Sequence, residues 1–211
     1  MLTKICGIND AEAMRAAAAA GADFIGFVFF PASPRAVTPA QAAALSALVP
    51  GGPQRVGLFV DAEDALLESV LATVRLDILQ LHGEENPARC AAIHQRFGLP
   101  VMKALGIAQP ADFAVLAAYA PVVDRFLLDA KAPPDAPLPG GNAAPFDWTL
   151  TQGQPIPRPW LLAGGLTPGN VAEAIALSGA PGVDVSSGVE RARGVKDAGL
   201  IAAFVAAARA A

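Results

Sequence analysis

The chain has few of the residues that build metal centres and disulfide frameworks. Its 211 residues include only two cysteines, Cys6 and Cys90, and two histidines. There is no Cys-x-x-Cys pair and no cluster of cysteine with histidine, so the sequence favours neither a structural metal nor a disulfide scaffold. We therefore expect no metal, and the sparse cysteine is typical of a protein of the reducing cytoplasm.

Clustered positive charge and long apolar runs are also missing. Lysine and arginine number 15 against 19 aspartate and glutamate residues, which gives a net charge of -4, and the basic residues are scattered. Nucleic acid is therefore not an expected partner. The most apolar stretch, AAAAAGADFIGFVFF, is interrupted by Asp23 and falls short of the roughly 18 residues that a membrane span needs. We expect an unprocessed cytoplasmic protein that does not contact membranes.

The sequence instead repeats an alternation of short apolar runs with alanine-rich segments about eight times. After the first run, LTKIC, we expect Asn9 to cap a helix, with Glu12 reaching back to complete a capping box. The Thr-Pro pairs that begin at Thr38 and Thr167 are expected to start helices in the same manner, because threonine suits the cap and proline the first helical turn. Each repeat therefore reads as a strand followed by a helix.

The apolar runs are nearly continuous in Val, Ile, Leu and Phe, which is typical of parallel strands covered by helices on their outer face. Eight such units predict an α/β protein in which residues 1–211 form a single-domain (β/α)₈ barrel. The alternative is a doubly wound open sheet. That fold usually carries a G-x-G-x-x-G motif after its first strand, and CGIND does not match it.

Polar residues that directly follow an apolar run are the candidates for function, because barrels of this type hold their active site at the C-terminal ends of the strands. The candidates are Cys6, Arg35, Gln80, His82, Asp129 and the glycine-rich turns Gly140-Gly141, Gly164-Gly165 and Ser186-Ser187-Gly188. Cys6 is either a small buried apolar residue or a general base whose pKa is lowered by its surroundings. Asp129 is either a turn residue or an acid that burial keeps protonated. Arg35 is either a solvated cation or a fork for a carboxylate.

The glycine turns indicate a phosphate. Loops after the seventh and eighth strands of a barrel frequently form a phosphate site, and glycine lets backbone N–H groups approach the phosphate oxygens. A third glycine pair lies in the long stretch KAPPDAPLPGGNAAPFDW after the sixth strand. Loops of that length are uncommon unless they are functional. The expected partner is therefore a small phosphorylated molecule.

Seven segments occur in the order KICGI, SPR, LQLHG, LLDA, GGNAAPFDW, LAGGL and GVDVSSGVE. In this respect the sequence resembles the phosphoribosylanthranilate isomerase family, enzymes of tryptophan biosynthesis that perform an Amadori rearrangement. The resemblance extends from Lys4 to Lys196. It implies a single (β/α)₈ barrel that uses neither a metal nor an organic cofactor. It also implies a substrate that carries an anthranilate carboxylate and a ribose 5-phosphate.

The resemblance further implies roles for individual residues. Cys6 matches the family's general base, which removes the C2′ proton of the sugar, and Asp129 matches the general acid, which protonates the furanose oxygen. Arg35 resembles the arginine that binds the anthranilate carboxylate. The remaining matches are the phosphate-binding positions Gly141, Gly164, Gly165, Ser186, Ser187 and Gly188 and the pocket residues Gln80, His82 and Asp184. The family usually continues its GG with Ser/Thr-Gly, where this chain has Asn142-Ala143.

Other barrels fit the residues less well. A metal-dependent pentose-phosphate epimerase would need more histidines than this chain has, and the histidine-pathway isomerase of the same chemistry resembles a two-aspartate site. A non-catalytic barrel that senses a phosphometabolite would lack the acid or the base. The sequence leaves open whether the histidine-pathway substrate is also accepted and whether the protein is a monomer or a homodimer.

Overall fold

The computed structural model describes residues 1–131 and 147–211. Eight parallel strands close into a barrel in chain order, and β8 pairs with β1. The strands are β1 (Leu2–Cys6), β2 (Phe24–Val28), β3 (Gln54–Phe59), β4 (Ile78–Leu81), β5 (Val101–Ile107), β6 (Arg125–Ala130), β7 (Trp160–Leu162) and β8 (Gly182–Val185). The predicted (β/α)₈ barrel is thereby confirmed. The predicted turn at Gly140-Gly141 and the pair Asn142-Ala143 lie outside the described residues.

Helices connect the strands across the outside of the barrel. They are α1 (Ala11–Ala20), α2 (Pro39–Ala47), α3 (Asp64–Leu71), α4 (Pro87–Phe97), α5 (Leu116–Tyr119), α6 (Val171–Ser178) and α7 (Ala198–Ala210). Short 3₁₀ helices cover Pro110–Val115, Trp148–Thr151 and Ser187–Val189. A small antiparallel hairpin that the pattern did not predict, β9 (Glu190–Ala192) and β10 (Val195–Lys196), lies between the last 3₁₀ helix and α7.

Two of the three predicted helix starts are wrong by one to three residues. The cap of α1 is Asp10, whose side chain accepts a hydrogen bond from the backbone N–H of Ala13, whereas Asn9 donates its side-chain amide to the carbonyl of Gly194. The capping box at Thr38 is confirmed, because its hydroxyl accepts from the N–H of Gln41 and the Gln41 side chain accepts in return.

The third expected start, at Thr167, is replaced by a turn. Helix α6 begins at Val171, and Asn170 occupies the cap position. The Asn170 side chain accepts from the N–H of Thr167 at 2.7 Å and donates to the carbonyl of Gly165 at 3.0 Å. Its amide therefore organises the turn after β7 instead of capping the helix, and Thr167 precedes the helix by four residues.

The interior of the barrel and the layer between barrel and helices are filled by different side chains, because successive residues of a strand point to opposite faces. The apolar interior consists of Phe24, Val56, Ile78, Met102, Ala104, Leu127, Leu161 and Ala163. A second interior group, Cys6, Val28 and Leu58, lies near the C-terminal ends of the first three strands. None of the helices in the described residues is long and apolar enough to cross a membrane.

Candidate active site at the C-terminal ends of the strands

The candidate residues on the strands occupy inward-facing positions. Leu127 belongs to the apolar interior, so Asp129, two residues further along β6, points into the same space. Strand register places Cys6 of β1, Gln80 of β4 and Asp184 of β8 on inward positions as well. The barrel thus brings side chains from four separate strands to the end where barrels of this type hold their active site.

Cys6 lies next to a buried ion pair. The ammonium group of Lys4, which is fully buried, donates to Asp184 Oδ1 at 2.9 Å. The neighbouring residue on β2 is Gly26, and a Cβ placed on it would lie 2.9 Å from Cys6 Sγ and 3.3 Å from Lys4 Nζ. The missing side chain of Gly26 therefore leaves the space in which the thiol and the ammonium group approach each other.

Three charges act on the thiol in addition to its burial. Burial raises the pKa of Cys6 above its ordinary value, and the positive charge of Lys4 opposes that increase. The Asp184 carboxylate raises the pKa of Cys6, and Lys196 lowers it. In the unliganded protein burial prevails, so Cys6 is a thiol at neutral pH and further positive charge is needed to ionise it.

Asp129 ends a chain of polar side chains that begins at Gln80. The Gln80 amide lies 2.9 Å from His82 Nδ1, and His82 Nε2 lies 3.5 Å from Asp129 Oδ2. Asp129 Oδ1 accepts from the backbone N–H of Ala130 at 2.8 Å. A Cβ on Gly164 would lie 3.0 Å from that same oxygen, so the turn after β7 packs directly against the carboxyl group.

The glycine turns after β7 and β8 lie against each other. Gly164 and Gly165 both have positive φ, 87° and 65°, which glycine adopts without strain. Among the described residues, neither of their N–H groups has a hydrogen-bond acceptor. A Cβ on Gly188, in the turn after β8, would overlap the carbonyl oxygen of Leu166. The two backbones can therefore come this close only because Gly188 has no side chain.

Arg35 comes from the loop after β2 and is buried beside Gly7, the residue that follows Cys6. A Cβ on Gly7 would lie 2.6 Å from Arg35 Cδ, and Gly7 has a φ of 78°. The guanidinium donates from Nε and Nη2 to the two carboxylate oxygens of Glu190, at 2.6 and 3.0 Å. Arg35 is therefore held on its stem and on one edge of its fork.

Glu190 and Lys196 of the β9–β10 hairpin extend this network to Cys6. Lys196 Nζ donates to Glu190 Oε1 at 2.8 Å and to the carbonyl of Ser186 at 2.9 Å. The Ser186 hydroxyl donates in turn to the carbonyl of Cys6 at 3.2 Å. Burial would raise the pKa of Glu190, but Arg35 and Lys196 hold it down at about 2.

Sequence reasoning missed three charged residues, namely Lys4, Glu190 and Lys196. Lys4 precedes Cys6 by two positions, so the period of a strand places both side chains on one face. That signal was available in KICGI. Glu190 and Lys196 depend on a hairpin whose short strands carry no clear alternation, and nothing in the sequence indicated it. Of the predicted residues, Gly141 lies outside the described ranges, and the others lie at the C-terminal end of the barrel.

No group of three or more His, Cys, Asp or Glu side chains that could hold a metal ion occurs within residues 1–131 and 147–211.

Residues 3–207 match the family model described as N-(5'phosphoribosyl)anthranilate (PRA) isomerase. The N-(5'-phosphoribosyl)anthranilate isomerase of Paracoccus denitrificans is 59% identical over 207 residues, which cover 98% of this chain and 96% of the relative.

Solved structures give the same result. Phosphoribosyl anthranilate isomerase from Thermotoga maritima superimposes with a TM-score of 0.88 at 37% identity, with complete coverage of both chains. A phosphoribosyl anthranilate isomerase in complex with reduced 1-(o-carboxyphenylamino)-1-deoxyribulose 5-phosphate superimposes with a TM-score of 0.83 at 35% identity, also with complete coverage of both chains. The chain belongs to the N-(5'-phosphoribosyl)anthranilate isomerase family.

Proposed function

We propose that this protein isomerises N-(5-phosphoribosyl)anthranilate to 1-(2-carboxyphenylamino)-1-deoxyribulose 5-phosphate in tryptophan biosynthesis, with Asp129 as the general acid and Cys6 as the general base. The observation that carries the proposal is that a carboxyl on β6 and a thiol on β1 both face the interior at the same end of the barrel. A solved relative binds a reduced form of this product, which supports the choice of substrate.

The acid acts first. Protonation of the furanose oxygen by Asp129 breaks the bond from C1′ to that oxygen and leaves an iminium between C1′ and the anthranilate nitrogen. Asp129 Oδ1 already accepts from the backbone, so Oδ2 is the oxygen that carries the proton. An amide can present either its N–H₂ group or its oxygen to His82 Nδ1, so Gln80 accommodates both neutral tautomers of His82. The series of side chains from Gln80 through His82 to Asp129 can therefore hold a proton either on Asp129 or on His82 Nε2.

The base completes the reaction. The iminium acidifies the C2′ hydrogen, the Cys6 thiolate removes that proton, and the electron pair of the C–H bond forms the enolamine. The enolamine then tautomerises to the ketose. The iminium is itself positive and adjacent to C2′, so it adds to Lys4 in favouring the thiolate at the moment of transfer. The raised pKa of the free Cys6 thiol is therefore compatible with catalysis, because the substrate contributes the positive charge that the free protein lacks.

The two anionic ends of the substrate need separate sites. The N–H groups of Gly164 and Gly165, which have no acceptor among the described residues, and the adjoining turn at Gly188 suit the 5′-phosphate. Arg35 lies at a different loop and suits the anthranilate carboxylate. The sugar would then span the space between Cys6 and Asp129.

The loss of anthranilate-type fluorescence as substrate is consumed tests the proposal. We expect Cys6→Ser and Asp129→Asn each to lower kcat by about 10²-fold or more, the scale of positioned acid and base catalysis. Cys90→Ser is the matched control, because Cys90 is buried in α4 away from the site and its thiol donates to the carbonyl of Glu85. Full activity of Cys6→Ala would exclude Cys6 as the base, and parallel assays with the histidine-pathway substrate would show whether a second Amadori reaction is catalysed.

A further inference from the structure

A buried cluster of three charges lies at the mouth of the barrel. Glu190 binds Arg35 through two hydrogen bonds and Lys196 through a third, and the side chains of all three are at most 6% exposed. The carboxylate of Glu190 also accepts from the backbone N–H of Gly194 at 3.0 Å. Both oxygens of the carboxylate are therefore fully used.

Within the described residues, two basic side chains share this single carboxylate. Burial lowers the pKa of Lys196, and the Glu190 carboxylate opposes that change and favours the charged ammonium group. The neighbouring Asp184 carboxylate is paired with Lys4 at 2.9 Å and not with this cluster. A buried guanidinium that shares its carboxylate with a lysine is complementary to an anionic group of a ligand.

The geometry indicates which nitrogen meets that anion. Glu190 occupies Nε and Nη2 of Arg35, while Nη1 has no hydrogen-bond acceptor among the described residues. The stem of Arg35 packs against the backbone of Gly7, which limits its movement in that direction. A guanidinium that is hydrogen-bonded along one edge can bind a ligand only through its other edge. The position of Arg35 relative to Cys6 is therefore fixed before a ligand arrives.

We propose that Glu190 is a positioning residue that aims Arg35 at the aromatic carboxylate of the substrate and thereby sets specificity for an ortho-carboxylated aryl amine. The inference rests on the proposed function. Lys196 holds the Glu190 carboxylate from its other side, and the turns at Gly164 and Gly165 remain for the phosphate. Removing the Glu190 charge should therefore weaken recognition of the carboxylate and leave recognition of the phosphate intact.

Two ligands separate these effects. The first is the reduced product analogue, 1-(2-carboxyphenylamino)-1-deoxyribitol 5-phosphate, and the second is the same compound without the carboxyl group. Calorimetric dissociation constants are measured for the wild type, for Glu190→Gln and for the control Glu68→Gln. Glu68 lies on the exposed face of α3, paired with Arg96, so the control makes the same chemical change outside the site.

We expect the wild type and Glu68→Gln to bind the carboxylated ligand about 10²-fold more tightly than the ligand without the carboxyl group. In Glu190→Gln this ratio should fall to about threefold, while affinity for the ligand without the carboxyl group stays within about twofold. With N-(5-phosphoribosyl)anthranilate as substrate, KM of Glu190→Gln should rise about 30-fold and kcat should change by less than about threefold.

The outcomes are distinguishable. An equal loss of affinity for both ligands in Glu190→Gln would mean that the cluster serves the phosphate or the fold, and would overturn the inference. An unchanged ratio in a folded Glu190→Gln protein would overturn it as well, with the proposed function intact. Failure of the wild type to bind either ligand would instead refute the proposed function. If Glu190→Gln does not fold, Glu190→Asp replaces it. This variant keeps the charge, but its shorter side chain moves the Arg35 guanidinium away from the ligand, so the ratio of the two dissociation constants must fall.

Discussion

The two cysteines of this protein each lie beside a buried lysine and a buried carboxylate, one set outside the barrel and one inside it. In the outer set, Lys103 donates to Glu85 at 2.9 Å and to the carbonyl of Gly83 at 2.6 Å. Glu85 accepts from the backbone N–H groups of Asp61 and Gly83, both at 2.9 Å. The thiol of Cys90 donates to the carbonyl of Glu85, and burial raises the pKa of Cys90 to about 11.

The inner set also consists of a lysine, a carboxylate and a thiol, but it makes fewer hydrogen bonds. Within residues 1–131 and 147–211, the Lys4 ammonium group donates to one oxygen, Asp184 Oδ1, and also interacts with the Cys6 thiol. An ammonium group has three donors, so at least one remains for another partner. The thiol of Cys6 lies beside this ammonium group and not against a carbonyl, and the Lys4 charge favours its ionised form.

This difference shows how similar residues take up different roles. A buried ion pair whose hydrogen bonds are all made by the protein fixes backbone segments, here the loop after β4 against β5. A buried ion pair with donors to spare can respond to a ligand or to a change of protonation nearby. We therefore propose that the outer set stabilises the fold and that the inner set takes part in the chemistry.

The largest expected effect tests the outer set. Glu85→Gln leaves the Lys103 charge buried without its partner, and should lower the free energy of unfolding by about 4 kcal/mol. The measurement is urea unfolding followed by circular dichroism, with exposed Glu68→Gln as a control that should change stability by less than about 0.5 kcal/mol. The folded Glu85→Gln enzyme should keep kcat within about twofold. A stability loss below about 1 kcal/mol, or a tenfold drop in kcat, would contradict the assignment.

A second prediction extends the comparison to the carboxylate of Glu190, whose side chain is also buried. Its pKa is lowered from 4.5 to about 2. The stability that the ionised carboxylate contributes is therefore complete above pH 4.5 and is lost as the pH falls toward 2. A shift of that size corresponds to about 3 kcal/mol. Between pH 5 and about pH 2, urea unfolding should show the wild type losing about 3 kcal/mol more stability than Glu190→Gln, and Glu68→Gln should follow the wild type. If the free energy of unfolding fell equally with pH in the wild type and in Glu190→Gln, Glu190 would not be held ionised by Arg35 and Lys196.

The sequence was sufficient to predict the barrel and the strand-end residues, because both depend on local periods. Continuous apolar runs separated by helix signals give the strand order, and a polar residue after such a run must lie at the C-terminal edge. The same two-residue period also placed Lys4 beside Cys6, although the focus on residues that follow the strand overlooked a lysine within it.

Other features depend on contacts between distant parts of the chain. Asn9 and Asp10 are both good caps, and the choice is made by the Gly194 carbonyl, which takes the Asn9 amide. The Lys4–Asp184 pair joins residues 180 positions apart and exists only because β8 closes onto β1 in that register. No local pattern contains this information.

The smallest effect we predict concerns the inner pair itself and the ionisation of Cys6. Lys4→Met removes the charge that favours the thiolate, whereas Asp184→Asn removes a charge that opposes it. We expect Lys4→Met to raise the pKa of Cys6 further and Asp184→Asn to lower it. The absorbance of the thiolate near 240 nm, measured against pH in a Cys90→Ala background, follows Cys6 alone. In the same series kcat/KM of Lys4→Met at neutral pH should fall about tenfold.

The opposite signs are what make this pair of variants decisive. Both substitutions break the same ion pair and should cost similar stability, so a purely structural effect would move the pKa of Cys6 in one direction for both. In the wild type, burial of the thiol predicts that kcat/KM still rises with pH near the ordinary thiol value of 9.0, because this parameter reports the free enzyme. The pH profile of kcat should level off earlier, because ring opening of the bound substrate forms the positive iminium next to C2′ before Cys6 takes the proton. Coincident profiles of kcat and kcat/KM would mean that Lys4 and Lys196 alone ionise the thiol, and that the substrate contributes nothing to the activation of Cys6.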